Sequence, residues 1–282
     1  MANINAAELV PDSVADRMVV LLTNKLAPLS VFTSDFSDEL IDPKRPIQIP
    51  VAISGSTTLV NPTNFEQGDT ETDTVPVSTD QYSQPFHITN EELQVGHKLE
   101  RKVDINLKTL ANKIADAAFA PLTAANFTNT PIVAATSADF DTVEVKALWA
   151  SISDADEKNL VLHGDYYSEL MPTNRDQFSL DGGAYGFDKV VYSNRFGNAG
   201  ANVVGFASSP AALVAVSRIP EMSNAVRNNM DVSMNVELPQ LGMTVQYNMW
   251  AAQGSRLTWA SFDICFGVAK GDGSALTLLK TA

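Results

Sequence analysis

From Pro46 to His97 the chain has neither lysine nor arginine, yet this span carries Glu66, Asp69, Glu71, Asp73, Asp80, Glu91 and Glu92. Lys98 then opens a long amphipathic segment with Arg101, Lys102, Lys108 and Lys113. An extended, acid-only arm rich in threonine and proline therefore runs straight into a cation-bearing helix. Those seven acids account for half of the formal net charge of −14. Such an arm has too little apolar surface to fold on itself. It reads as a piece built to lie on another subunit.

At 282 residues the chain can hold one large domain or two intertwined ones around a sizeable core. Hydrophobic content of 45% and charged content of 18% exclude global disorder. The acidic balance argues against nucleic-acid binding as the main activity, which calls for a dominant basic face, although a local basic patch is compatible with it. Cys265 is the only cysteine, so an intrachain disulfide and a cysteine-cluster zinc site are both excluded. The start, MANINAAELVPDSV, lacks the charged-then-apolar pattern of a signal peptide, and no stretch approaches the roughly 20 apolar residues of a membrane span. The expected setting is soluble and cytoplasmic, with no membrane partner.

The spacing of Val14, Met18, Leu21, Leu22 and Leu26 predicts a helix over Ser13–Ala27, with Ser13 and Asp16 resembling a capping box and Pro28 ending it. The acidic stretch SDFSDELID with Pro43 and Pro46 reads as a linker. From Ile47 the period becomes two: Ile47, Ile49, Val51 and Ile53 alternate with Gln48, Pro50, Ala52 and Ser54. A polar tip follows, and a second extended limb carries Val75, Val77, Tyr82, Phe86 and Ile88. Pro50, Pro62, Pro76 and Pro85 remove ladder donors, so these limbs read as edge strands of a long two-limbed β-arm.

Thr89 with Glu92 is a second capping-box signal, after which Val103, Leu107, Leu110, Ile114 and Ala118 predict a helix from about Lys98 to Asn126. Residues 127–235 read as mixed α/β. A helix is expected at Thr142–Ser153, a strand at NLVLHG, a helix at Asp165–Leu170, a glycine-rich loop at DGGAYGF and a short helix or strand at SSPAALVAV. Beyond Asp231 the alternation is β again, and KGDG is a turn signal between the closing strands TWASFDICFGVA and SALTLLK.

This order of elements resembles the major capsid protein of tailed bacteriophages, the Hong Kong 97 fold family, over essentially the whole chain. The pieces that carry the likeness are RPIQIPVAISG followed by ITNEELQVGHKLERKVDINLKTLANKIADAA, then NLVLHGDYYSELM, and GMTVQYNMWAAQGSRLTWASFDICFGVAKGDG. The resemblance implies an α+β fold of the Hong Kong 97 type with five parts. These are an N-terminal arm with a short helix (1–45), an extended β-arm or E-loop (46–90), a spine helix of the peripheral domain (91–126), a mostly axial domain (127–235) and a β return through the peripheral domain (236–282). It implies a structural protein of the virion head, assembled in the host cytoplasm. It also implies self-association into hexamers and pentamers, enclosure of double-stranded DNA without sequence-specific binding, and portal, decoration or separate scaffolding partners. Some members weld their shells by joining an E-loop lysine to a neighbour's asparagine. This arm has no lysine, so a non-covalent latch is expected instead, with Glu66, Asp69, Glu71 and Asp73 meeting Lys98, Arg101, Lys102 and Lys108 of a neighbour.

No catalytic or cofactor constellation stands out. His87, His97 and His163 show no HExxH or paired spacing. Asp69, Glu71 and Asp73 share one side of a strand, but the positions that a calcium loop needs as Gly and Glu are Thr74 and Asp80. His163, Asp165 and Ser168 lack a GxSxG elbow, and DGGAYGF lacks the spacing and lysine of a phosphate loop. Cys265 reads as a buried core thiol. We therefore expect neither cofactor, metal nor enzymatic activity. The rival readings are a cellular nanocompartment shell of the encapsulin kind, distinguished by the neighbouring genes, and a β-rich tail or adhesin component.

Overall fold

The computed structural model describes residues 6–41, 46–54, 71–89, 92, 96–134, 136–152, 156–171, 185–196, 200, 202–251 and 257–282. Helix α1, Ala6–Leu26, is followed by a 3-10 turn at Ala27–Val31. It begins seven residues before Ser13, so the Ser13/Asp16 pattern lies inside the helix and caps nothing. A four-residue cap signal is weak against a helix anchored by its buried apolar face, Val14, Met18, Leu22 and Leu26.

The expected linker after Pro28 is strand β1, Thr33–Ile41, parallel to β9, Leu213–Pro220. Its acidic composition hid it. Phe36 packs against the core, and the Asp35 carboxylate holds the buried guanidinium of Arg218 at 2.7 Å. The arm's second limb is two strands. β3, Glu71–Val77, pairs antiparallel with β2, Ile47–Ser54, whereas β4, Asp80–Thr89, joins the main sheet along β12, Leu257–Lys270. Among the described residues β4 pairs only with β12, which suits Pro85.

The long helix α2, Gly96–Phe119, stops earlier than its apolar spacing predicts. Pro121 supplies no N–H, and the chain turns at Ala120–Leu122 instead. At 1.5 Å per residue α2 is still about 36 Å long. One face of it, Val103, Leu107, Leu110, Ile114 and Ala118, is buried.

The six-stranded sheet runs β1-β9-β12-β11-β10, with β4 on β12; β10 is Val232–Leu238 and β11 is Met243–Ala251. Because strand side chains alternate, its two faces part cleanly. Tyr82, Phe86, Ile88, Ala260, Phe262, Ile264, Val245, Tyr247, Leu213 and Ala215 join the α1 and α2 residues in the main core. The opposite face carries Val214 and Val216 under the hairpin root.

A second sheet runs β5-β13-β8-β6-β7, made of Ile132–Val133, Leu276–Lys280, Val203–Ser208, Asn159–Leu162 and Lys189–Tyr192. Helices α3, Thr142–Ser151, and α4, Gly164–Glu169, accompany one of its faces. Its other face meets the end of α2 through Phe119, Phe196, Phe206 and Phe32; Phe119 stacks on Phe196 at 5.2 Å and Phe32 on Phe206 at 5.6 Å. The KGDG turn therefore does not close a hairpin. β12 and β13 enter different sheets, and the last strand joins strands drawn from 127–235. Gly271 and Asp272 donate to Ala212 and Ala211 instead, fixing the crossing between sheets. A last short helix, α5, Asn224–Arg227, precedes β10.

Candidate assembly interface

The hairpin's attachment is built from a small apolar cluster and a crossing. Ile49 and Val77 are buried on Val214 and Val216, with Ile47, Val75 and Ala269 packed around them. From Val77 the chain crosses β12 at Ser78–Thr79 and becomes β4. A Cβ on Gly267 would collide with the Ser78 carbonyl oxygen, so the close approach demands glycine there.

The joint from β4 to α2 is held by the second capping box. Thr89 N–H donates to the Glu92 carboxylate at 2.9 Å, and Glu92 N–H donates back to Thr89 Oγ1 at 3.2 Å. Lys102 Nζ donates to both oxygens of the same carboxylate at 3.0 and 2.9 Å. The Thr89 amide first, and the Lys102 ammonium after it, hold the Glu92 carboxyl below its ordinary range, while burial opposes them.

Of the eight interface residues expected from sequence, Glu66 and Asp69 lie outside the described residues. Glu71 and Asp73 lie on β3, in register with Ser54 and Val51. Lys98, Arg101 and Lys108 are exposed on α2, and Lys102 is engaged by Glu92 of its own chain. The hairpin root and α2 pack on opposite faces of the six-stranded sheet.

Several ion pairs went unnoticed in the sequence because their partners are far apart along it. Arg17 on α1 grips Asp104 on α2 with two hydrogen bonds, 2.8 and 2.9 Å, and lies 3.5 Å from Glu100. Arg195 pairs with Asp116 in the same bidentate way. On the hairpin's face of the sheet, Asp263 is buried and accepts from Asn248 Nδ2 at 2.8 Å and from Ser261 Oγ. Asn248 accepts in turn from Ser233 at 2.8 Å. The one visible signal was an aspartate in the otherwise apolar run FDICF, two residues after Ser261.

The residues considered for chemistry have local roles. His163 Nδ1 accepts from Asp165 N–H at the start of α4, and Ser168 Oγ donates to the Asp165 carbonyl at 2.7 Å. Trp149 donates to the Gly186 carbonyl in the glycine-rich loop, of which residues 181–184 lie outside the described set. Among the described residues no three histidine, cysteine or acidic side chains gather as a metal site, and no helix is long and apolar enough to cross a membrane. Cys265 is buried.

No known protein family and no curated protein matches the sequence. Solved structures do match the fold. A structure of Gordonia phage Cozz has a TM-score of 0.54 at 10% identity, over 92% of this chain and 87% of that one. The capsid of an empty GTA particle has a TM-score of 0.54 at 11% identity, over 92% and 90%. A virus-like particle from Pyrococcus furiosus has a TM-score of 0.55 at 10% identity, over 95% and 98%.

Proposed function

We propose that this chain is a major capsid protein, the shell subunit of a tailed-phage head, which self-assembles into hexamers and pentamers and encloses double-stranded DNA. The observation that carries the reading is the likeness in fold to a capsid chain across nine-tenths of the sequence. In this reading the β2–β3 hairpin is the E-loop, α2 is the spine helix, the six-stranded sheet belongs to the peripheral domain and the five-stranded sheet to the axial domain. Closed symmetry is the usual way to repeat a head-to-tail contact without making open fibres.

The acids Glu66, Asp69, Glu71 and Asp73 are proposed to meet a neighbour's cations, with Arg101, Lys108 and Lys98 as the targets. Lys102 acts within its own chain, at the joint that aims the arm. Electron microscopy of the purified protein, alone and with a co-expressed scaffold, tests the reading. Closed shells or rings of five and six are expected, and a compact monomer at every concentration would overturn it. The likeness to the Pyrococcus furiosus particle favours a second reading, a cellular compartment shell. Particles from the native host that hold protein cargo and no nucleic acid would select it.

A further inference from the structure

We propose that the six-stranded sheet carries a cation site on the face opposite α1 and α2, where Asp263 and Gln246 hold a calcium ion through side-chain oxygens. The site goes beyond the shell reading and does not depend on it.

The site follows from strand register. Asp263 on β12 stands opposite Gln246 on β11 and Ser83 on β4, and Gln246 stands opposite Asn235 on β10. Opposed residues share a face, so one row across the sheet carries two amides, a carboxylate and a hydroxyl. Each of these side chains brings an oxygen and none brings a positive charge. Asn235 and Ser83 at the flanks are exposed, whereas Gln246 and Asp263 between them are only 3% and 6% exposed.

A buried carboxylate calls for a cation. Among the described residues Asp263 has no ion-pair partner. Arg218 stands opposite Cys265, two residues along β12, but its guanidinium is turned to Asp35 at 2.7 Å. Asp263 Oδ2 accepts instead from neutral groups, Asn248 Nδ2 at 2.8 Å and Ser261 Oγ. These bonds fix the neighbouring amides. An ionised carboxylate only accepts, so Asn248 turns its nitrogen to Asp263 and its oxygen to Ser233, whose hydroxyl donates at 2.8 Å. Ser233 has then given its one proton and can only accept from Gln246, through Nε2 at 3.5 Å. The chain of donors runs from Gln246 to Asp263 and leaves Gln246 Oε1 buried without a donor. A carboxylate lacking a cation and an amide oxygen lacking a donor thus occupy directly opposed positions.

A donor set made only of oxygen selects a hard cation. Adjacent strands lie about 4.8 Å apart. That is twice a calcium–oxygen bond of about 2.3–2.6 Å, so an ion seated between Gln246 and Asp263 can touch both. Magnesium, at about 2.0–2.1 Å and in strict octahedral geometry, suits a sheet row less well. With a single carboxylate the affinity belongs at the weak end of protein calcium sites, about 10⁻⁴–10⁻³ M.

Calcium titrated into the whole chain, followed by calorimetry and by thermal melting, tests the site. At about ten times the dissociation constant the ion should raise the melting temperature by about 2–5 °C, and magnesium should raise it less. Gln246→Met removes the amide oxygen while keeping the side chain's length. It should lower calcium affinity by about tenfold or more, with melting in chelator retained. Asp263→Asn should abolish the response. Asp69→Asn combined with Glu71→Gln, acids elsewhere in the chain, should leave it intact. A native protein indifferent to calcium would leave the row to water alone and overturn the proposal. So would a Gln246→Met protein that responds as the native one does, or a response lost with Asp69 and Glu71. If Asp263→Asn does not fold, Gln246→Met still decides.

Discussion

Two side-chain positions, Gly267 and Glu92, decide how the arm leaves the body of the molecule. Gly267 has backbone atoms of Ser78 and Thr79 where a Cβ would go, so neither partner can yield by rotating a side chain. Gly267→Ala should lower stability by about 1–3 kcal/mol, the usual range for overpacking. A shifted urea midpoint would register this, with faster amide exchange at Val77. Gly242 is the control, since its φ of +71° has nothing within 4 Å of a Cβ, leaving only the backbone cost of about 1–2 kcal/mol. At Glu92 the folded carboxyl titrates below its ordinary value of 4.5. Its contribution is therefore complete above that pH and is lost as pH falls through the folded value. Glu92→Gln should melt earlier than the native protein at neutral pH, with the gap closing below pH 4.5. A gap that persists unchanged in acid would show that charge plays no part in the joint.

At the scale of elements, the hairpin is attached but not integrated. Its root buries Ile49 and Val77 on two valines, whereas α2 and the six-stranded sheet share the main core. Removing residues 61–70, a stretch of polar sequence with Phe65 as its one large apolar residue, should leave thermal unfolding within about 0.5 kcal/mol of native. It should still abolish stable particles. Normal closed particles from the shortened chain would make the tip dispensable. The Phe32, Phe119, Phe196 and Phe206 seam is the opposite case, tying both sheets into one core, so the two halves should melt together.

For the whole molecule the question is what holds copies together. The arm lacks a lysine, so boiled particles should run as single chains on a denaturing gel; a ladder of linked subunits would refute a non-covalent shell. Each exposed acid–cation pair contributes only about 0–1 kcal/mol, but many copies repeat it. Screening over about 8–10 Å at physiological salt weakens such pairs. Reversing Glu71 and Asp73 to lysine should lower particle stability, more at low salt than at high. Stability indifferent to the reversal at low salt would remove the latch.

What could be read from the sequence alone was local. The period-two run from Ile47, the Thr89–Glu92 box and the four-and-three spacing from Val103 each depend on neighbours within a turn or a strand. The structure holds all three. The acid-only arm was legible for the same reason, as an unbroken run in one segment. The tertiary structure decided what depends on distant partners. β1 looked like a linker because its strand partner, β9, lies some 180 residues away and supplies the Arg218 that Asp35 answers. The turn between β12 and β13 was legible, but a turn signal cannot say which sheet each limb enters. The need for glycine at 267 exists only once Ser78 crosses there. Likewise, Lys102 was counted among outward cations until Glu92, ten residues earlier, came within 3 Å of it. Periodicity reports which face of an element is buried; what it is buried against is set by long-range pairing, which leaves no mark on spacing.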